Sequence, residues 1–297
     1  MIQAETLDLL EWHRLCQHLS TFAATKLGAI ASRQLKLPTT QAESLELLSQ
    51  TKEVYQIEQR PNGRLSFDGI TDIGEALERA NIGGMLSGQE LLSIATTLAG
   101  VRRLRRIIQD QEDCPSLTEL VEEIRTYPEL EQEIYRSIEE DGTVADRASP
   151  QLREVRGQMK VIRERIYRKL QEIMSKQGGA VQEAVITQRS DRFVIPVKAP
   201  QKDQIPGIIH DTSNTGATLY VEPQSVIEQG NKLRQFRRSE QIEEEIILRK
   251  LSEQVATFFP DLEYLLAVAT TLDLATARAR YSLWLEANPP RFVEQDE

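Results

Sequence analysis

Three stretches bring chemically capable side chains close together, and each can be checked against the spacing that its chemistry needs. His13 and His18 lie five residues apart in a helical pattern, about 140° round the axis, so they do not share a metal-binding face as residues four apart would. His13 and Cys16, three apart, could supply two ligands, but no second pair completes a site, and a buried thiol beside a surface imidazole is the expectation. The run GGMLSGQE at residues 83–90 has the look of a phosphate loop. Gln89 stands where the lysine is needed, no strand precedes it, and Leu86 and Leu91 read as packing residues. The run HDTS at residues 210–213 invites a hydrolase reading. Adjacent residues on a strand point to opposite sides, so Asp211 cannot orient His210; Asp211 instead suits the start of a turn. No catalytic residue and no metal site is assigned.

The basic residues are more informative. Arg189, Arg192, Lys198 and Lys202, with His210 and Asn214, lie in a short β-like stretch, and Lys232, Arg234, Arg237 and Arg238 follow within one helical segment. Clustered cations of this kind are what phosphate contact needs, because each neutralised phosphate releases a counterion. A solvated helix surface of Glu–Arg pairs is the competing reading.

The elements that must position these residues are mostly helical. Leu7, Leu10, Leu15 and Leu19 predict a first amphipathic helix; Thr39 or Thr40 opens a second that carries Leu45, Leu48, Val54 and Ile57. Ser87 with Glu90 makes a capping-box pattern before a long helix. From residue 150, Leu152, Val155, Met159, Ile162, Ile166, Leu170 and Ile173 repeat at spacings of three and four, a seam that predicts a rod of about 42 Å over 150–177. A second rod begins near Ser225 and carries Leu233, Phe236, Ile242, Ile246, Leu251, Val255 and Phe258. Between the rods, QEAVITQR and DRFVIPVK alternate at period two around Ser190-Asp191, and IPGIIHD and ATLYVEP flank a loop with Asn214 and Gly216. The expected fold is mainly α: a helical core over 1–148, a first rod over 149–179, a four-stranded β insert over 180–224, and a second rod returning to the core over 225–297. The rods form an antiparallel coiled-coil hairpin with the insert at its tip, where Lys169 and Lys176 also end.

Bulk properties set outer limits. At 40% hydrophobic and 28% charged residues the chain reads as soluble, and 5% aromatics suits helical layers better than a thick sandwich. No run of about 18 apolar residues predicts a membrane span, and the acidic N-terminus does not resemble a signal peptide, so a cytoplasmic protein is expected. The net charge of −10 hides an asymmetry. Thirteen acids face two arginines over 109–146, whereas eight bases face three glutamates over 149–178. A binding surface answers to its local charge.

The stretch DRFVIPVKAPQKDQIPGIIHDTSNTGATLYVEPQSVIEQGNKLRQ closely resembles the signature of the bacterial MutS-like family known as the second MutS branch, or MutS-two. FDGITDIGEALERANIGGMLSGQELLSI and PELEQEIYRSIEEDGTVADRASPQLREVRGQMK are similar to it too, so the resemblance runs through essentially the whole chain. It implies a core, a two-helix lever and a clamp at the lever tip. It also implies that the family continues into an ATPase domain that uses ATP and magnesium, usually with a nuclease domain after it; this chain resembles only the N-terminal core, lever and clamp region, so no cofactor is expected here. Full-length relatives are implied to form homodimers and to act on branched DNA in recombination suppression, or on ribosomes and their RNA in collided-ribosome rescue. A structural module that dimerises or docks on protein through the rods is the alternative function, and a hydrolase built on His210 a remote third.

Overall fold

Helix boundaries follow the local chemistry of the chain. The computed structural model describes residues 4–60 and 63–292. Eight helices precede residue 140: α1 (Ala4–Leu9), α2 (Trp12–Leu19), α3 (Lys26–Arg33), α4 (Gln41–Glu58), α5 (Gly74–Asn81), α6 (Gly88–Gln109), α7 (Pro115–Glu122) and α8 (Pro128–Ser137). Thr25, Thr40 and Ser87 cap α3, α4 and α6 with their side-chain oxygens, and Glu90 completes the capping box at Ser87. Proline opens α7 and α8, where its missing N–H costs nothing. The expected first helix is broken at Glu11, which sits in the left-handed region (φ 52°), and Leu10 and Leu15 are exposed rather than packed. Leu45 of α4 is exposed as well, whereas Val54 and Ile57 are buried.

The rest of the chain is α9 (Pro150–Lys176), strands β1 (Thr187–Arg189), β2 (Arg192–Lys198), β3 (Gly207–Thr212) and β4 (Thr218–Pro223), then α10 (Gln224–Thr257) and α11 (Phe259–Trp284). Two compact units result: residues 144–247 form one, and the remainder forms the other. Helix α10 contributes to both.

In the larger unit α11 is the central helix. It packs against α3, α4 and α5, with Leu262, Leu265, Leu272 and Ala275 buried to within 0%. Its Asp273 is also fully buried and accepts from the N–H groups of Ala24 (2.8 Å) and Thr25 (2.7 Å) and from the Thr25 hydroxyl (2.6 Å). The carboxylate therefore closes the N-terminus of α3, where a negative charge is favoured. Cys16 and Cys114 are free and buried; burial pushes both thiols up, which makes them poor nucleophiles. No single helix among the described residues is long and apolar enough to cross a membrane.

In the smaller unit the α9 seam is buried from Leu152 through Leu170, with Ile173 partly covered. It faces Val226, Leu233 and Phe236 of α10 together with the sheet residues Phe193, Ile195, Val197 and Val221. The α10 seam differs from expectation. Ile242 and Ile246 are exposed (50% and 54%), whereas Leu233, Leu251 and Val255 are buried as expected and Glu243 and Ile247 are buried between them. The departure has a local cause: Glu243 turns inward to accept the Ser149 hydroxyl at 2.7 Å, which is itself the N-cap of α9.

Candidate nucleic-acid interface

The cations predicted to bind lie on an antiparallel sheet of order β1-β2-β4-β3 and on α10, except Lys202, which follows β2 in a 3-10 turn. Strand β2 is central and does not alternate: Phe193 through Val197 are all buried, because both faces are covered. Pro196 is tolerated there because β1 ends at Thr187 opposite Val194. Beyond that point Pro196 has only to accept, through its carbonyl, the N–H of Gln182 (2.9 Å). The expected strand QEAVITQR is correspondingly short, regular only over Thr187–Arg189. The β1–β2 turn puts Ser190 (φ 48°) and Asp191 (φ 63°) in left-handed conformations, the geometry of a two-residue hairpin turn, as their types suggest.

Strand β3 carries a bulge at His210: Ile209 pairs with Val221 and Asp211 with Tyr220. The extra residue turns the imidazole onto Glu222, Nε2 lying 2.8 Å from Oε2. Glu222 is only 2% exposed. Its other oxygen accepts from Arg192 Nη1 at 3.2 Å, and Arg192 Nη2 donates to Asn231 Oδ1 of α10 at 2.6 Å. One buried carboxylate thus joins three strands to a helix. Gly230 makes the approach possible, since a Cβ there would lie 2.7 Å from Glu222 Oε1 and 2.8 Å from Arg192 Nη1. Glu222, Asn231 and Gly230 were missed at the level of sequence. The available signal was an acid flanked by apolar strand residues and proline, as in YVEP.

The remaining predicted residues are distributed around this knot. Arg189 donates from Nε to Asp211 Oδ2 (2.8 Å) and lies 4.3 Å above the Tyr220 ring, a cation–π contact. Arg237 pairs with Asp191 (3.2 Å), and Arg234 Nη2 reaches the Ser190 carbonyl at 3.4 Å. Lys198 ends β2 and donates to the Gly179 carbonyl (2.9 Å); it is about 20 Å along the strand from Arg192, so the two do not form one cluster. Lys202 follows in a short 3-10 turn and is exposed, and Asn214 is exposed on the β3–β4 loop. Lys232 pairs with Glu228 (2.8 Å) and holds that carboxyl below its ordinary range. Arg238 is exposed and has no ion-pair partner among the described residues.

Helix α9 shows the same contrast. Lys176 and Lys169 share Glu172 at 2.6 and 3.1 Å, and their hydrogen bonds and charges hold its carboxyl down to about 2. Burial works against the Arg156 guanidinium. Its bonds to Asp146, Glu240 and Glu244 outweigh that and raise its pKa above the ordinary value. By contrast, Arg153, Lys160, Arg163, Arg165 and Arg168 are all exposed and make no ion pair among the described residues. The helix surface of Glu–Arg pairs considered from sequence is therefore only partly realised.

Among the described residues no three His, Cys, Asp or Glu side chains are grouped to hold a metal ion. No family model matches the chain. It is 60% identical over 292 residues to Endonuclease MutS2 of Synechocystis sp., across 98% of the chain and 36% of that relative. It is 37% identical to Endonuclease MutS2 of Halalkalibacterium halodurans (96% of the chain, 37% of the relative). It is 34% identical to the putative endonuclease MutS2 of Bacillus subtilis (97% and 38%). The chain spans a little over a third of the length of these curated relatives. Within that span, in agreement with the motif around residues 192–223, the chain belongs to the MutS2 family.

Proposed function

We propose that the unit over residues 144–247 is the nucleic-acid-gripping part of a MutS2-type protein. In this reading α9 and α10 are a coiled-coil lever and the four-stranded sheet is a clamp. The grip is on branched DNA or structured ribosomal RNA, through backbone charge and shape rather than base edges. Charge segregation carries the reading. Residues 144–247 hold seventeen Lys and Arg against fourteen Asp and Glu, whereas the whole chain has 36 against 46. The net-negative total belongs to the other unit. In the full-length family an ATPase domain using ATP and magnesium would open and close the clamp of a homodimer, and the endonuclease activity in the relatives' names would reside outside these residues.

The test is fluorescence anisotropy of this chain with a four-way DNA junction, a matched duplex and a structured RNA across a salt series. A log affinity that falls linearly with log salt, by roughly 0.9 per duplex phosphate neutralised, is expected. Lys198→Glu/Lys202→Glu/Arg238→Glu should weaken all three complexes. Arg192 is unsuitable for charge reversal, since it is tied to Glu222 and Asn231. Absence of binding at low salt sinks the proposal. One observation favours the alternative of protein docking: Ile242 and Ile246, one turn apart on α10, expose about half their surface. Ile242→Ser/Ile246→Ser should then abolish any self-association seen by sedimentation.

A further inference from the structure

One row of α9 runs Arg156, Lys160, Arg163, Tyr167, at spacings of four, three and four, so its members share a side of the helix. Its ends are fixed. Arg156 is bonded to Glu240 and Glu244 of α10, and Tyr167 packs edge-on against Phe193 at 5.1 Å. Phe193 follows Arg192 in β2, and the adjoining turn residue Asp191 binds Arg237 of α10. The row, the β1–β2 turn and the Arg234 and Arg237 side chains of α10 therefore lie on the same side of the helix pair. The bonds of Ser149 to Glu243 and of Arg156 to Glu240 and Glu244 also set the register. With 1.5 Å of rise per residue in both helices, Lys160 and Arg163 come level with α10 residues at about 230–240.

Four cations thus meet on this side: Lys160, Arg163, Arg234 and Arg237. The acids within reach are already engaged or do not pair. Asp191 holds Arg237, Glu240 holds Arg156, and Glu164, four residues from Lys160, makes no ion pair with it among the described residues. Like charges at neighbouring helix positions are destabilising unless something neutralises them. An acidic protein would need an apolar or aromatic anchor at the centre of such a face, and the row's exposed aromatic, Tyr167, lies at its end against Phe193. The exposed isoleucines of α10 lie on later turns, so a repeating phosphate backbone is the better fit.

We infer that this side of the α9–α10 pair is a backbone-phosphate track for duplex nucleic acid, with Lys160 and Arg163 as its new contacts. The inference rests on the grip proposed above and adds a surface apart from Lys198 at the end of β2 and Lys202 in the turn after it. Salt-series anisotropy on the 297-residue chain tests it with a matched DNA duplex. Lys160→Gln/Arg163→Gln should lower the salt slope by about two and weaken binding roughly tenfold near 0.1 M salt. Arg165→Gln/Arg168→Gln makes the same charge change on the far side of the same helix and should change the slope by less than about half a unit. Circular dichroism of both variants checks that α9 is intact. If the wild-type chain binds and the two variants shift alike, or the first shifts nothing, the track is overturned while the grip stands. Failure of the wild type to bind removes both. Equal affinity for polyglutamate in place of DNA also overturns the nucleic-acid assignment.

Discussion

At the scale of single residues, the His210–Glu222–Arg192–Asn231 knot is where sequence and structure differ most instructively. Period-two logic places His210 and Asp211 on opposite faces, and it finds the strand correctly. It cannot see the one-residue bulge, which is a property of the pairing between two strands and not of either alone. Nor can it see that Glu222, which reads as one more surface acid, is 2% exposed. Glu222→Ala leaves the Arg192 guanidinium partly buried without its carboxylate and should cost about 3–5 kcal/mol in chemical denaturation. His210→Ala leaves the Arg192–Glu222 pair in place and should cost about 1 kcal/mol. The reverse order would show that the histidine, not the arginine, is the principal partner. Gly230→Ala should destabilise by about 1–3 kcal/mol through overpacking onto both charged groups. A neutral result would mean that the knot yields freely. Glu172 offers a pH test on the exposed surface. Its carboxyl is lowered from 4.5 to about 2, so whatever stability it contributes is complete above 4.5 and is lost as the pH falls through about 2. A carboxyl carbon NMR titration midpoint near 4.5 would contradict the Lys169–Glu172–Lys176 bridge.

At the scale of elements, the seam of α9 is legible because every third or fourth residue is apolar and all of them are needed to cover the sheet and α10. The seam of α10 is legible only in part: Leu233, Leu251 and Val255 are buried as their spacing predicts. Its apolar residues at 242 and 246 face solvent, and the packing position is taken by Glu243, a choice made by the N-cap Ser149 of another helix. Long-range polar contacts of this sort leave no periodic trace. Asp273 is the same lesson in the other unit: an acid inside an apolar helix that serves the N-terminus of α3, some 250 positions earlier in the chain. Asp273→Ala orphans two backbone N–H groups and a hydroxyl and should cost about 3–5 kcal/mol. Gly28→Ala should be comparably damaging, because its Cβ would lie 2.0 Å from Asp273 Oδ2. The double variant should cost less than the sum, since removing the carboxylate opens the space the new methyl needs. Strict additivity in thermal denaturation would show that the two positions do not touch.

At the scale of the whole molecule, the division into two units follows from where apolar residues close on one another. Fourteen buried residues, from Val155 to Leu233, form a cluster wholly inside residues 144–247. The polar contacts of Arg156 with Asp146, Glu240, Glu244 and the Val144 carbonyl are also internal to that unit. A segment with its own core and its own end-clamps should fold alone, even though α10 is cut at residue 247. Residues 144–247, expressed alone, should therefore give a helical circular dichroism spectrum and unfold cooperatively. Leu170→Ala, which empties a fully buried position, should lower its stability by about 2–5 kcal/mol. Relieved of the acidic remainder of the chain, the fragment should also bind duplex DNA at least as tightly as the whole chain at low salt, and with a similar salt slope. A fragment that folds yet binds more weakly would assign part of the phosphate contact to residues outside 144–247. A fragment that melts without a transition would show that the small sheet and its two helices depend on the larger unit. The charge argument for a separate gripping module would then have to be made on the intact chain alone.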